Sequence, residues 1–343
     1  MKLSGNLFVL ILLIYESHLI GCGKCPGAQY QPLFTPCICI NDTTIICESI
    51  ENIDLKQIFD YFSKTLNWKE RHFKSLTINC RQLLELQELT FGDLTFDNIL
   101  VTNGQNLRQI HTNAFGATRL TLKNLTIEAK GQLVSISNGY NLFEAIGSLI
   151  NIENINISGL NIYATPDYAI KPLLGNQWAL KNLTINGTIH RIGKYAFYDS
   201  AYHLKHISIG NQIEYISSHA FDMRIASFER LTIDLSGNQL TGNSFEGEVF
   251  LNTKRTIYLD LSNNKLSHLD EFIFDPFLSL DIMNIVNVSG NFLHCDCRMK
   301  WLAKNRLKYK RQVVNALCSD GRPFWEQSLD EFNECKHNEI IDS

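Results

Sequence analysis

The side chains with the most chemistry to offer in this 343-residue chain are its ten cysteines. Cys25, Cys37, Cys39 and Cys47 cluster near the start, and Cys295, Cys297, Cys318 and Cys335 near the end. Cys22 precedes the first group, and Cys80 stands by itself between the two. A cysteine sulfur can act as nucleophile, metal ligand or half of a disulfide. Zinc bound by the Cys-x-Cys pairs with distant partners is one reading. Two small cross-linked units bracketing a long middle is the other, and it requires an oxidising compartment. Spacing alone leaves three connectivities open in each group of four.

Little else is arranged for catalysis. The ten histidines are dispersed, and His203 and His206 fall where surface residues belong. The chain has no Gly-x-Ser-x-Gly elbow, His-Glu-x-x-His pair, Gly-x-x-x-x-Gly-Lys loop or glycine dinucleotide fingerprint. No enzyme, cofactor or metal site is expected. Seven cations, Arg298, Lys300, Lys304, Arg306, Lys308, Lys310 and Arg311, fall within 14 residues. They read either as a patch for an anionic glycan or lipid, or as a solvated helix face. The net charge of −4 implies no general pull toward nucleic acid.

A repeat positions these groups. The phrase apolar, two polar, apolar, polar, apolar recurs nine times, as in Phe73/Leu76/Ile78, Leu180/Leu183/Ile185 and Met283/Val286/Val288. In the seventh and eighth instances Arg230 and Thr256 replace the first apolar residue. Successive middle residues lie 23 to 30 apart, the period of a leucine-rich repeat. The expected fold is an α/β leucine-rich repeat solenoid: about nine right-handed coils, a parallel concave sheet and one continuous core. Such a molecule is a surface before it is a site. Residues between the apolar ones face outward, from Ser75 and Thr77 to His206, Thr232, Asp234, Tyr258 and Asp260. The last five make the C-terminal third the best-equipped part, although Trp, Tyr and Arg are scarce along the face.

On the convex side Phe91, Phe115, Phe143, Phe197, Phe221 and Phe274 are expected to fill the space behind the strands. Asn238, Asn264 and Asn291 sit three places after the last apolar residue, where an amide can satisfy the backbone of adjacent coils. The first six repeats carry Arg81, Gly104, Lys130, Leu160, Thr188 and Gln212 there. Their turns must be satisfied differently or be shorter, so the N-terminal two-thirds should be less regular.

Residues 1–23 read as a secretory leader, with Lys2 before the apolar run 7–15 and small residues at its end. A lipoprotein signal at Leu19-Ile-Gly-Cys22 is a competing reading, weakened by Glu16-Ser-His18. No second long apolar run follows, so no membrane span is expected, and the leader argues against zinc. Residues 24–66 form a cysteine cap with a helix, 67–291 the repeats, and 292–343 a second cap with a tail. Ile53, Leu55, Ile58, Phe59 and Phe62 give that helix its apolar stripe. Asn41, Asn124, Asn156, Asn182, Asn186 and Asn287 are N-glycosylation acceptors, all but Asn41 on outward strand positions.

Asn291-Phe-Leu-His-Cys295-Asp-Cys297-Arg-Met-Lys-Trp301-Leu302, with Cys318 and Cys335, resembles the C-terminal cap of extracellular leucine-rich repeat proteins. Cys25, Cys37-x-Cys39 and Cys47 resemble their N-terminal cap. The resemblance implies the pairings Cys25–Cys39, Cys37–Cys47, Cys295–Cys318 and Cys297–Cys335, with Trp301 and Leu302 on a cap helix. Thr35-Pro-Cys-Ile-Cys39 and Leu317-Cys-Ser-Asp-Gly-Arg-Pro-Phe-Trp325 are also similar to secreted arthropod proteins likened to the larger, non-catalytic subunit of Oplophorus luciferase. That likeness spans roughly residues 25 to 335 and implies an extracellular protein partner and no chemistry of the chain's own.

Overall fold

The computed structural model describes residues 23–134, 139–167, 179–198, 202–224 and 226–333. The leader up to Cys22, and also Pro172 and Cys335, lie outside them. The first described element pair is antiparallel, β1 (Cys37–Ile40) with β2 (Thr44–Ser49). Helix α1 (Leu55–Thr65) follows, its first turn capped by the Asp54 carboxylate, which accepts from the Gln57 N–H at 3.0 Å. Leu55, Ile58, Phe59 and Phe62 turn inward. The rings of Phe59 and Phe62 meet Phe34, Phe73, Phe91 and Phe96 at 4.0 to 6.4 Å between centroids. The helix thereby closes the open edge of the first coil, which a terminal repeat cannot leave bare.

Parallel strands then accumulate one per coil: β3 (His72–Cys80), β5 (Thr95–Gly104), β7 (Asn124–Leu133), β8 (Asn154–Ala164) and β9 (Asn182–Ile192). The shorter β10 (His206–Gly210), β12 (Leu231–Asp234), β13 (Ile257–Asp260), β14 (Ile285–Asn287) and β15 (Val313–Val314) complete the sheet. Two short pieces, β4 (Glu85–Leu86) and β6 (Gln109–Ile110), pair with each other, and β11 (Tyr215–Ile216) pairs with β9. The middle apolar residues form one unbroken row from Leu76 through Leu125, Leu183 and Ile233 to Val286, all nearly inaccessible.

The missing asparagines have a specific consequence. Strands β3, β5, β7, β8 and β9 run 9 to 11 residues, whereas β10, β12, β13 and β14 run 3 to 5. Without the amide, β5, β7, β8 and β9 continue as sheet through a bulge, so neighbouring backbones satisfy each other, whereas β10 ends at a turn whose Ile209 carbonyl and Ile213 N–H are met by Asn238 of the next coil. Gly159 (φ +79°) and Gly187 (φ +152°) sit at two of these bulges. A Cβ on Gly159 would lie 2.1 Å from the Ala129 carbonyl oxygen, and one on Gly187 2.3 Å from that of Leu160. In the last coils the expected amides are in place. Asn264 donates to the Leu235 and Leu261 carbonyls and accepts from the Leu240 N–H, all at 2.9 to 3.0 Å.

Met283 departs from expectation. The phrase puts it in the core, yet it is 54 % exposed, while Leu231 and Ile257 are fully buried. The chain enters the sheet one residue later in these coils, so the first position of the phrase, Arg230, Thr256 or Met283, is pushed toward the rim. Asn284 takes the vacated place in the last coil, donating to the Phe277 carbonyl and accepting from the Ile257 N–H, both at 2.8 Å. The convex phenylalanines are buried, and Phe250 and Phe277 join them in a column with Phe197 and Phe221. Phe274 packs beside that column, on Phe245.

Disulfides join Cys25 to Cys39, Cys37 to Cys47 and Cys295 to Cys318. Cys297 is also disulfide-bonded, and its expected partner Cys335 lies outside the described residues. Among the described residues Cys80 is the free thiol; it is buried beneath the first cap, its S–H directed at the Cys47 carbonyl at 3.7 Å. Burial pushes its pKa up to about 11, against about 8.5 in an unfolded chain. The native thiol therefore stays protonated where the unfolded one ionises. Its contribution to stability is complete below about pH 8.5 and declines as pH rises toward 11. Iodoacetamide at pH 8 is expected to label the Cys80 peptide only after urea unfolding, scored by mass spectrometry. Rapid labelling of native protein would contradict this burial.

Candidate functional site

The open face of the parallel sheet carries two outward rows. One runs Ser75, Asn98, Asn124, Asn154, Asn182, His206, Thr232, Tyr258, and the other Thr77, Leu100, Thr126, Asn156, Thr184, Ser208, Asp234, Asp260, Asn287. Strands about 4.8 Å apart bring equivalent side chains within reach of one another. Four asparagines exploit this spacing. Asn124, Asn154 and Asn182 each donate to the amide oxygen of the preceding one at 2.6 to 2.7 Å, and Asn98 donates to the Lys74 carbonyl. Reading asparagine only as solvent decoration and glycan acceptor misses this ladder. Aligning the residue just before each middle apolar position exposes it.

The five residues picked as a binding face do converge. His206, Thr232 and Tyr258 are neighbours in one row, and Asp234 and Asp260 in the next. Each aspartate is fixed by its own turn: Asp234 accepts from the Ser236 N–H at 3.0 Å and Asp260 from the Ser262 N–H at 2.9 Å. Asp234 also accepts from Ser208, and Asp260 from the Asn287 amide. Burial, and then the Asp260 carboxylate, raise the Tyr258 phenol above its ordinary range, so it remains an O–H donor. The patch can donate and accept hydrogen bonds. Among the described residues no group of three metal-ligating side chains forms.

The cationic run divides. Arg298 grips both oxygens of the buried Asp296, whose side chain also caps the Arg298 N–H. Burial pushes the Asp296 carboxyl up, but those bonds outweigh it and hold it below its usual range. Lys300 binds Asn333, Arg306 the Gln327 carbonyl and Lys308 the Ser279 hydroxyl. Lys304, Lys310 and Arg311 are exposed and make no ion pair among the described residues. They flank Leu307, which is also wholly exposed. Short helices α2 (Lys300–Lys304) and α3 (Arg306–Tyr309) carry this segment, and Trp301 anchors it by donating to the Leu269 carbonyl at 3.0 Å.

The six acceptor asparagines are not equivalent. Asn41 and Asn156 are exposed, and Asn186 is half-buried. Asn124 and Asn182 belong to the ladder. Asn287 is only 8 % exposed; its amide donates to Asp260 and its oxygen accepts from Asn315 at 2.9 Å. In a eukaryotic secretory host, Asn41→Gln and Asn156→Gln are each expected to remove one glycan's mass, and Asn287→Gln none. Intact-protein mass spectrometry before and after deglycosylation checks this.

A family model described as the BspA type leucine-rich repeat region matches residues 89–223 and 171–295, in six copies. The chain belongs to this leucine-rich repeat family. No curated protein matches it. Among solved structures, this leucine-rich repeat protein is similar to human 5T4 (Wnt-activated inhibitory factor 1, trophoblast glycoprotein), with 16 % identity, 90 % of this chain and 99 % of that one covered, and a TM-score of 0.48. It is also similar to the mouse RP105/MD-1 complex, with 17 % identity, 82 % and 49 % coverage and a TM-score of 0.46. The Drosophila Toll–Spatzle complex shows 15 % identity, 84 % and 45 % coverage and a TM-score of 0.43. The repeat protein thus spans about half the length of the last two. No helix among its described residues is long and apolar enough to cross a membrane.

Proposed function

We propose that the chain is a secreted, non-enzymatic protein-interaction scaffold, a docking or stabilising subunit of an extracellular complex. The observation that carries this reading is the concave sheet, a continuous, in-register and solvent-facing array whose inner side is consumed by packing. Disulfides at both ends support an oxidising, extracellular setting. Docking centres on His206, Thr232, Asp234, Tyr258 and Asp260, because a glycan on the exposed Asn156 would shield the middle of the sheet. A smaller secreted protein, which the sequence resemblance to luciferase-associated subunits implies, is the partner expected.

Affinity capture from the native secretion tests the reading. The full chain should retain a stoichiometric secreted protein, and Ser208→Arg, which places a long cation at the β10 edge of the patch beside Asp234, should lose it. Equal retention by both, or substrate turnover by the purified chain, would overturn it. A second reading rests on Leu307 with its flanking free cations, a surface suited to an anionic glycan or lipid. Retention on heparin beads that vanishes at moderate salt and in Lys304→Glu/Lys310→Glu/Arg311→Glu would favour it.

A further inference from the structure

The one-residue offset in the late coils puts side chains on the rim that the repeat would otherwise bury. Arg230 is exposed there, and its guanidinium donates to the Met283 carbonyl at 3.3 Å across two coils. This is its one hydrogen bond among the described residues, where it makes no ion pair. Nearby carboxylates are already engaged. Glu229 pairs with Lys205 at 2.9 Å, Asp281 accepts from Thr256 at 2.6 Å, and Asp234 and Asp260 are held by their turns. Arg230 therefore keeps most of its donor fork open, the geometry that takes a carboxylate two-handed.

Exposed apolar residues adjoin Arg230 and Met283 in the chain. Phe228, two residues before Arg230, is fully exposed, and Ile282 beside Met283 is 83 % exposed. Tyr258 lies within the electrostatic reach of Arg230 on the adjoining concave row. Apolar side chains held in water around an arginine and a tyrosine have the composition of an interface hot spot.

We propose that the rim formed by Phe228, Arg230, Tyr258, Ile282 and Met283 docks a protein segment that presents an Asp or Glu carboxylate between apolar side chains. This deepens, and rests on, the protein-docking reading above. The carboxylate meets the open face of Arg230, and the apolar residues cover Phe228 and Ile282. The open donors of Arg230 set the chemistry of the partner, because the neighbouring carboxylates Glu229, Asp281, Asp234 and Asp260 already accept hydrogen bonds while Arg230 has donors to spare.

The test pans a random displayed peptide library against the full chain, then measures the enriched sequences as synthetic peptides. Enriched peptides should carry an acidic residue beside Leu, Ile or Phe. Arg230→Glu, and separately Phe228→Ser/Ile282→Ser, should weaken their binding at least about tenfold with an unchanged thermal midpoint, and Ser208→Arg should not. Peptides without acidic residues, or binding indifferent to Arg230→Glu, would overturn the inference. If that binding instead falls with Ser208→Arg, the concave docking reading stands and only the rim fails. No enrichment over a blank surface sinks both.

Discussion

Replacing Phe221 with alanine should lower the unfolding free energy by about 3–5 kcal/mol, read from a urea titration of the full chain. The ring is fully buried in the convex column, 5.2 Å from Phe197 on one side and 5.8 Å from Phe250 on the other. Removing it opens a cavity shared by three coils, and backbone rigidity on both sides limits how far that cavity can close. In a stacked array each coil leans only on its neighbours, so the loss falls on two interfaces at once. Hydrogen exchange should accelerate first in β10, β12 and β13, ahead of the disulfide-held ends. A change below about 1 kcal/mol would mean that the column is not a packing unit.

Asn264→Leu is the second large effect. The substitution is nearly isosteric, yet it strands the Leu240 N–H in the interior and removes one of two amide donors from each of the Leu235 and Leu261 carbonyls, which keep Asn238 and Asn291. A buried backbone N–H left without a partner costs about 1–3 kcal/mol, and the two carbonyls each lose one donor besides, so a loss of about 2 kcal/mol or more is expected. Asn154→Ala provides the control. Its amide lies on the half-exposed concave ladder, where water can replace the missing partner, and a loss under about 1 kcal/mol is expected. Comparable losses in the two variants would show that the inner amide has no special structural role.

The periodic core was legible because a leucine or isoleucine at a fixed offset leaves few alternatives: Leu76, Leu183 and Val286 occupy the places their spacing demands. The asparagine turns were equally readable, since one side chain satisfies two coils. What replaces such a turn was harder to read. Lys130, Leu160 and Thr188 mark only the absence of an amide, and the extended bulges that take over are set by contacts between coils. The offset at Arg230 and Met283 was hidden for a related reason. Arg230 and Thr256 are more polar than the Leu231 and Ile257 that displace them, but Met283 is more apolar than Asn284. Composition thus points one way in two coils and the other way in the last, and spacing alone does not say which neighbour turns inward. The candidate patch was legible as a group of positions. Its fixed aspartates and the fork of Arg230 needed coordinates.

The two bulge glycines also constrain how an array like this one changes its length. Elsewhere a coil could be duplicated or deleted whole, because each outward row simply gains or loses a member. Gly159 is keyed to Ala129 and Gly187 to Leu160, so the three coils that hold them are matched parts. Deleting or duplicating one of these coils alone would break that match, whereas a change that keeps all three together would preserve it.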